Sequence, residues 1–173
     1  IYGIDISQNS WGVRAAELLG NYTLRSSKFD NVVRGVYGRG IPIIFAAGNE
    51  QDDHPPGWGT ITPPGGTAKN TIVVGATYSD TDGMTCFSSW GPVDDGRIKP
   101  DIVAPGDEFP CGTGVGNPGI NSTIPYGSAY YSYPYDEMAG TSMAAPVVSG
   151  SAALMLQAYR NTHNVDPWPS TIK

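Results

Sequence analysis

The stretch IPIIFAAGN, residues 41–49, decides the fold. Its first seven residues form a continuous apolar run with β-branched members, which is typical of a strand buried on both faces of a sheet. Apolar side chains recur at helical spacing over residues 26–40. We therefore expect a helix there, capped by Ser27 and ended by Gly38 or Gly40, that leads the chain into the buried strand.

Further strands are expected on both sides of this pair along the chain. Residues 1–12 begin with alternating apolar positions, and residues 71–77 form a second continuous apolar run. A shorter apolar segment follows at residues 101–104. A strand, a helix and a strand over this length form the βαβ unit of a parallel sheet, so the sequence predicts an α/β fold with helices covering the sheet.

The last third of the chain predicts an excursion followed by a long helix. Residues 78–100 indicate a hairpin and turns, and residues 106–137 are rich in Gly, Tyr, Ser and Pro, which is typical of a surface excursion. A helix is expected from residue 141 to about residue 159, and Pro146 is tolerable because it lies in or near the first turn. The expected apolar face consists of Ala144, Val147, Val148, Ala152, Leu156 and Tyr159.

Length and composition fit one domain spanning residues 1–173 and exclude several classes of partner. The net charge is −6 and only 15% of the residues are charged, with no basic stripe that would suit nucleic acid. No apolar run is long enough to cross a bilayer, and the sequence shows no signal-peptide pattern. We therefore expect neither a nucleic-acid nor a membrane partner.

The two cysteines, Cys86 and Cys111, do not form a metal-binding pattern, since neither lies in a CxxC motif or near a histidine. One disulfide would suit a secreted protein, and two buried thiols fit the sequence equally well. The sequence leaves the choice between these alternatives open.

Ser142 stands among small residues at the predicted start of the long helix. A serine at such a position commonly caps the helix by accepting a hydrogen bond from a free N–H group. The alternative is a nucleophile, because the free N–H groups and partial positive charge of a helix N-terminus suit an oxyanion that forms beside it. The GxSxG elbow of α/β-hydrolases is absent here, since Ala144 stands at its second glycine.

Several stretches occur in the order of one family's motifs. Residues 140–146 read GTSMAAP, residues 44–50 read IFAAGNE, and residues 9–12 read NSWG. FSSWGP at residues 87–92 and DGRIKPDIVAPG at residues 95–106 complete the set. These stretches resemble the conserved segments of subtilisin-like serine proteases (subtilases). The resemblance implies the subtilisin-like three-layer fold, a mostly parallel sheet flanked by helices, with the N-terminal part of the catalytic domain absent from this chain.

The same resemblance implies a secreted serine endopeptidase and assigns roles to individual residues. Ser142 would attack the scissile carbonyl to form an acyl-enzyme, and Asn49 would donate its side-chain amide to the oxyanion. Two short segments would form the walls of the pocket for the substrate residue before the cleaved bond, and their backbones could pair with an extended polypeptide. The residues of these walls are Ser10, Trp11 and Gly12 on one side and Ala46, Ala47 and Gly48 on the other.

The aspartate and histidine of the family's triad have no counterpart in this sequence. Subtilases place both upstream of the cleft-lining segment, where this chain begins. Neither His54, in a loop, nor His163, after the final helix, is expected to be the base, and Asp5 receives no triad role. We therefore expect the chain alone to hydrolyse peptides negligibly, with the missing N-terminal part of the domain as its partner. The alternative is a catalytically dead relic that keeps a peptide-binding cleft.

Three further features of the sequence lie outside the triad chemistry. The tyrosine-rich residues 125–135 present a second alternative, a surface or carbohydrate-binding patch, although such loops more often pack on their own domain. Val147 replaces a histidine that usually follows the nucleophile motif, which affects helix packing and not the chemistry. We expect no catalytic cofactor. Structural calcium is common in the family, and residues 79–83 could supply ligands or form a solvated turn.

Overall fold

The computed structural model describes residues 3–53, 57–108, 119–124 and 134–173. A four-stranded parallel sheet with the order β1-β2-β3-β4 is its centre. Its strands are β1 (Ser7–Asn9), β2 (Ile43–Ala46), β3 (Ile72–Tyr78) and β4 (Ile102–Asp107). The parallel sheet predicted from the apolar runs is therefore present, and each apolar run contains or overlaps one strand.

Helices cover both faces of the sheet and give the molecule three layers. The helices are α1 (Leu24–Val33), α2 (Thr141–His163) and α3 (Pro169–Ile172), with a short 3₁₀ helix at Ala16–Leu18. Strand β2 divides its side chains between the layers because successive residues point to opposite faces. Ile44 packs in a core cluster with residues of α2, whereas Phe45 packs with Val33 of α1.

Helix α1 begins and ends earlier than the sequence predicts. Thr23, and not Ser27, is its cap: the Thr23 hydroxyl accepts from the Ser26 N–H at 3.2 Å, and the Ser26 hydroxyl accepts from the Thr23 N–H at 3.0 Å. This reciprocal pair satisfies the N–H groups of both Thr23 and Ser26. Ser27, which lies inside the helix, does not do this. The helix stops before Gly35, whose positive φ of 76° ends it ahead of the predicted glycines.

Helix α2 carries the predicted apolar face in part. Ala144, Ala152 and Leu156 are buried against the sheet, as expected. Val147 is instead 44% exposed and Tyr159 is only partly buried. The predicted face was too wide, because the four strands present cover only one side of this helix.

The predicted excursion contains one regular element within the described residues. Strands β5 (Ile120–Thr123) and β6 (Tyr135–Met138) pair in antiparallel register as a separate two-stranded sheet. No sequence pattern predicts this pairing, because the two segments are short and largely exposed. Cys86 takes part in a disulfide, while Cys111 lies outside the described residues.

A ring of four charged side chains joins the start of the sheet to the end of the chain. Arg39 and Arg160 each pair with both Asp5 and Asp166. The hydrogen bonds from Arg160 and Arg39 lower the pKa of Asp5 to about 2. All four side chains are at least a third exposed, so the ring aligns these segments and contributes little stability.

Candidate active site

The predicted site residues meet at the carboxyl end of the parallel sheet. The segment of residues 10–12 follows β1, Asn49 follows β2, and Ser142 lies in the first turn of α2. Ligands of open α/β sheets bind at this edge because loops after neighbouring strands converge there. The topology therefore places three segments that are far apart in sequence at one position.

Asn49 is held in a fixed orientation by the residue before Ser142. Its side-chain oxygen accepts from the N–H of Thr141 and from the Thr141 hydroxyl, both at 2.9 Å. The oxygen is thus used within the protein, and the amide nitrogen is directed away from it. Among the described residues, none accepts a hydrogen bond from this nitrogen, so Asn49 retains a free donor.

Gly140 shows that the nitrogen of this donor and the backbone nitrogen of Ser142 lie close to a common point. A methyl group added to Gly140 would lie 3.1 Å from Asn49 Nδ2 and 3.6 Å from the nitrogen of Ser142. The Ser142 N–H is one of the first N–H groups of α2, which have no acceptor within the helix. Two donors near one point, beside a serine hydroxyl at a helix N-terminus, form an arrangement that can stabilise an oxyanion.

Ser142 is partly buried, and two contacts join it to Ser10 across the cleft. The Ser10 hydroxyl donates to the carbonyl of Ser142 at 2.8 Å. The Ser142 hydroxyl lies 3.5 Å from the carbonyl of Ser10, which is too long for a strong hydrogen bond. The hydroxyl is therefore not committed to a strong partner within the described residues.

A cleft of about 280 Å³ contains Ser142 and Asn49. Five of the six predicted wall residues line it: Ser10, Trp11, Gly12, Ala46 and Gly48. Ala47 does not, because it is fully buried in a core cluster with Val73 and its N–H donates to the carbonyl of Val74. The backbone of Gly48 is also used, since its N–H donates to Thr141 and its carbonyl accepts from Ser89. The backbone groups of Ala47 and Gly48 are therefore used within the protein and are not free to pair with an extended polypeptide.

Four further residues line this cleft that the sequence did not indicate: Arg14, Glu50, Thr62 and Thr141. Thr141 lies next to Ser142, so its position in the nucleophile motif was a usable signal. Arg14 and Thr62 have no such signal, because they reach the cleft only through the fold. Arg14 pairs with Glu50 at 2.6 Å, and this hydrogen bond raises the pKa of the Arg14 guanidinium above its ordinary value.

No histidine of the described residues approaches Ser142. His163 is the last residue of α2 and stacks on Tyr159 with 4.1 Å between ring centroids. At 1.5 Å of rise per residue, the helix separates His163 from Ser142 by about 30 Å. His54 lies outside the described residues. Asp5 is paired with Arg39 and Arg160, which fits the prediction that it has no triad role.

The loop considered for calcium forms a tight turn. The N–H of Tyr78 donates to the carbonyl of Gly83, and the N–H of Asp82 donates to the carbonyl of Tyr78. These bonds use two carbonyls that a calcium cage of six to eight oxygens would need. The described part of the chain also holds no group of three or more His, Cys, Asp or Glu residues suited to a metal ion. The donor set therefore fits a solvated turn better than a calcium cage, and calcium binding stays a prediction.

Comparison with known proteins decides the family. The sequence profile described as the subtilase family matches residues 2–173. The chain belongs to the subtilase family. Serine protease AprX of Bacillus subtilis (strain 168) is 36% identical to this subtilase over 158 residues, 83% of this chain and 32% of that protein. Pyrolysin of Pyrococcus furiosus is 35% identical over 145 residues, 68% of this chain and 9% of that protein.

A solved structure gives the fold of this subtilase independently. The self-cleaved protease domain of PatA matches it with a TM-score of 0.66 at 23% identity, covering 98% of this chain and 51% of that chain. The predicted subtilisin-like fold with a mostly parallel sheet and flanking helices is therefore confirmed. The chain spans about half of that domain and about a third of AprX. Within the described residues, no helix is long and apolar enough to cross a membrane.

Proposed function

We propose that this subtilase chain supplies the nucleophile and the oxyanion hole of a serine endopeptidase. Ser142 attacks the peptide carbonyl, the C–N bond breaks and the amine half leaves with the proton that the hydroxyl gives up. Water then hydrolyses the acyl ester, which releases a carboxylic acid and restores Ser142. The single observation that carries the proposal is the pair of free donors, Asn49 Nδ2 and the N–H of Ser142, near one point beside Gly140. A cleft that only bound peptides, as a dead relic would, has no use for donors aimed beside a serine hydroxyl.

Hydrolysis of peptide bonds requires a base that activates Ser142, and we propose that a separate N-terminal part of the catalytic domain supplies it. The edge of β1 that faces away from β2 has no strand partner among the described residues. Ile4, which lies just before β1 in the chain, presents an apolar side chain that is 52% exposed. An unpaired strand edge beside apolar surface suits the addition of further strands and helices. We further propose a secreted location, and a polypeptide as substrate.

The experiment separates acylation of Ser142 from peptide hydrolysis. The purified chain is incubated with casein and, separately, with a p-nitrophenyl ester, whose leaving group needs no proton. We expect no casein cleavage but slow, stoichiometric acylation of Ser142, located by mass spectrometry of tryptic peptides. Asn49→Asp keeps the acceptor for Thr141 and removes the donor. It should slow acylation on the order of 10²-fold, a magnitude that comes from an oxyanion asparagine of subtilisin itself.

The outcomes distinguish the alternatives. Acylation at equal rates in the parent chain and in Asn49→Asp would contradict the oxyanion hole. Absence of any label on Ser142 would favour the relic. Casein cleavage that is lost in Ser142→Ala would show that the chain contains its own base. The tyrosine-rich patch proposed as a carbohydrate-binding alternative lies almost entirely outside the described residues, and no contact of the described chain favours it.

A further inference from the structure

The cleft beside Ser142 contains a carboxylate that the catalytic chemistry does not use. Glu50 directly follows the oxyanion asparagine, lines the same cleft, and is only 3% exposed. Its two carboxylate oxygens are engaged by one guanidinium, with Arg14 Nε at 2.6 Å and Arg14 Nη2 at 3.3 Å. Arg14 itself is 68% exposed and also lines the cleft.

Glu50 and Arg14 differ in burial: the carboxylate is enclosed by the protein, whereas the guanidinium is largely exposed to solvent. A carboxylate this buried is stable only when a cation or hydrogen-bond donors accompany it. Arg14 is anchored by its contact with Glu50 and by a longer one to Asp53, at 3.7 Å, while most of its side chain is in solvent. Asp53 is 63% exposed, so its charge is largely screened by water. Arg14 is therefore the removable member, and Glu50 is the built-in charge of the cleft.

We infer that Arg14 determines substrate specificity: it occupies Glu50 and thereby closes the cleft to lysine and arginine side chains at the residue before the cleaved bond. This inference rests on the proposed function, in which that substrate residue lies in this cleft. A substrate cation would have to displace Arg14, whose bidentate contact is already made within the protein. The rest of the lining is uncharged, being small residues, hydroxyl groups and the indole of Trp11. The cleft therefore takes uncharged side chains.

The inference predicts a switch of preference when either charge is removed. Without Arg14, Glu50 faces the cleft unpaired and should attract a substrate lysine. Without the charge of Glu50, Arg14 keeps its positive charge and should attract a substrate glutamate. A purely structural role of the ion pair would change stability and leave both preferences unchanged.

The experiment measures peptide affinity and so needs no catalytic base. Three acetylated tetrapeptide amides that differ only in a final Leu, Lys or Glu are titrated into the full chain, and binding is followed by calorimetry. The parent chain should bind the Leu peptide most tightly. In Arg14→Ala the Lys peptide should gain on the order of tenfold relative to the Leu peptide, about 1.4 kcal/mol. The double variant Arg14→Ala, Glu50→Gln should lose this gain.

A reciprocal variant and a charge control complete the design. Glu50→Gln should raise the affinity for the Glu peptide relative to the Leu peptide. This variant tests the inference even if Arg14→Ala does not fold, since Arg14→Ala leaves the buried carboxylate of Glu50 unpaired. Arg34→Ala removes an exposed cation that does not line the cleft and should keep the parent preferences. Circular dichroism establishes that each variant is folded.

Failure of the inference differs visibly from failure of the proposed function. If the peptides bind but neither variant changes the Lys or Glu preference, Arg14 does not set specificity and the inference is overturned. If Arg34→Ala shifts the preferences as much as Arg14→Ala does, the effect is one of net charge and the inference is again overturned. If the parent chain binds none of the three peptides, the cleft is not a peptide site, and the proposed function fails together with the inference.

Discussion

At the scale of single residues, Gly140 shows that the site depends on a position without a side chain. Its φ of 151° is a conformation that favours glycine, and it brings the chain into α2 directly before Ser142. Ser142 and Asn49 line one cleft, and each stands in a motif that is a local pattern of the sequence. It could not show that Thr141 fixes the amide of Asn49, since that contact joins residues far apart in the chain.

Two alanine substitutions in and before α2 should have opposite effects on stability. At Gly140 the added methyl would meet Asn49 Nδ2 at 3.1 Å and a strained φ, so we expect Gly140→Ala to cost about 1–3 kcal/mol. At Gly150 no atom lies within 4 Å of the added methyl, so Gly150→Ala should stabilise by about 0.5–1 kcal/mol through helix propensity. Urea unfolding of both variants measures the difference, and equal effects would show that Gly140 is not constrained.

At the scale of elements, the cap of α1 illustrates which information was missing from the pattern. The helical spacing predicts that a helix is present but not its bounds, because Thr23 and Ser27 are both acceptable caps by residue type. The choice depends on Ser26, whose hydroxyl completes the reciprocal pair with Thr23 and also lies 2.9 Å from Thr67 Oγ1 in the core. A contact between residues 41 positions apart fixes the start of a helix whose cap the local pattern predicts four residues later.

The two candidate caps give a matched test. Thr23→Ala removes the acceptor for the Ser26 N–H and should lower the free energy of unfolding by about 1 kcal/mol. In Ser27 the hydroxyl instead donates to the carbonyl of Leu24 inside the helix, so Ser27→Ala should change stability by only a few tenths of a kcal/mol, in the stabilising direction. Chemical denaturation of both variants checks this. A larger loss of unfolding free energy in Ser27→Ala than in Thr23→Ala would show that Ser27 is the cap.

At the scale of the whole molecule, the parallel sheet was predictable because strands buried on both faces are recorded as unbroken apolar runs. Strand β2 is such a run, and all four of its residues are buried. Strands β5 and β6 contain no such apolar run, since most of their residues are exposed. The predicted buried face of α2 is too wide for a related reason: Val147 is apolar but 44% exposed, and Tyr159 is only partly buried.

Lys99 connects the sheet to the carboxyl end of the chain and makes the stability of the whole molecule depend on pH. Its ammonium contacts Asp101 at 2.6 Å and the carbonyl of Thr71 at 3.1 Å, with only 3% of the side chain exposed. Burial lowers the pKa of Lys99 to about 8, despite the opposing effect of Asp101. The folded protein therefore releases this proton at a lower pH than the unfolded chain does.

The sign of the effect follows from this difference in bound protons. Between about pH 8 and the ordinary lysine pKa of 10.5, the unfolded chain holds a proton that the folded protein has lost, so raising the pH favours folding. The gain should reach up to about 3 kcal/mol. Tyr22 acts in the opposite direction above about pH 10, because burial and Asp30 raise its pKa to about 12. Stability should therefore be greatest near pH 10.

Urea unfolding across this pH range tests the prediction. The parent chain should become more stable from about pH 8 to about pH 10. Lys99→Met should lose that rise, while Lys173 still donates to the carbonyl of Thr71 at 2.9 Å and limits other damage. Lys28→Met, on the exposed surface of α1, should keep the rise. If stability still rises with pH in Lys99→Met, another group releases the proton. The burial of Lys99 would then cost the folded state far less than its surroundings indicate.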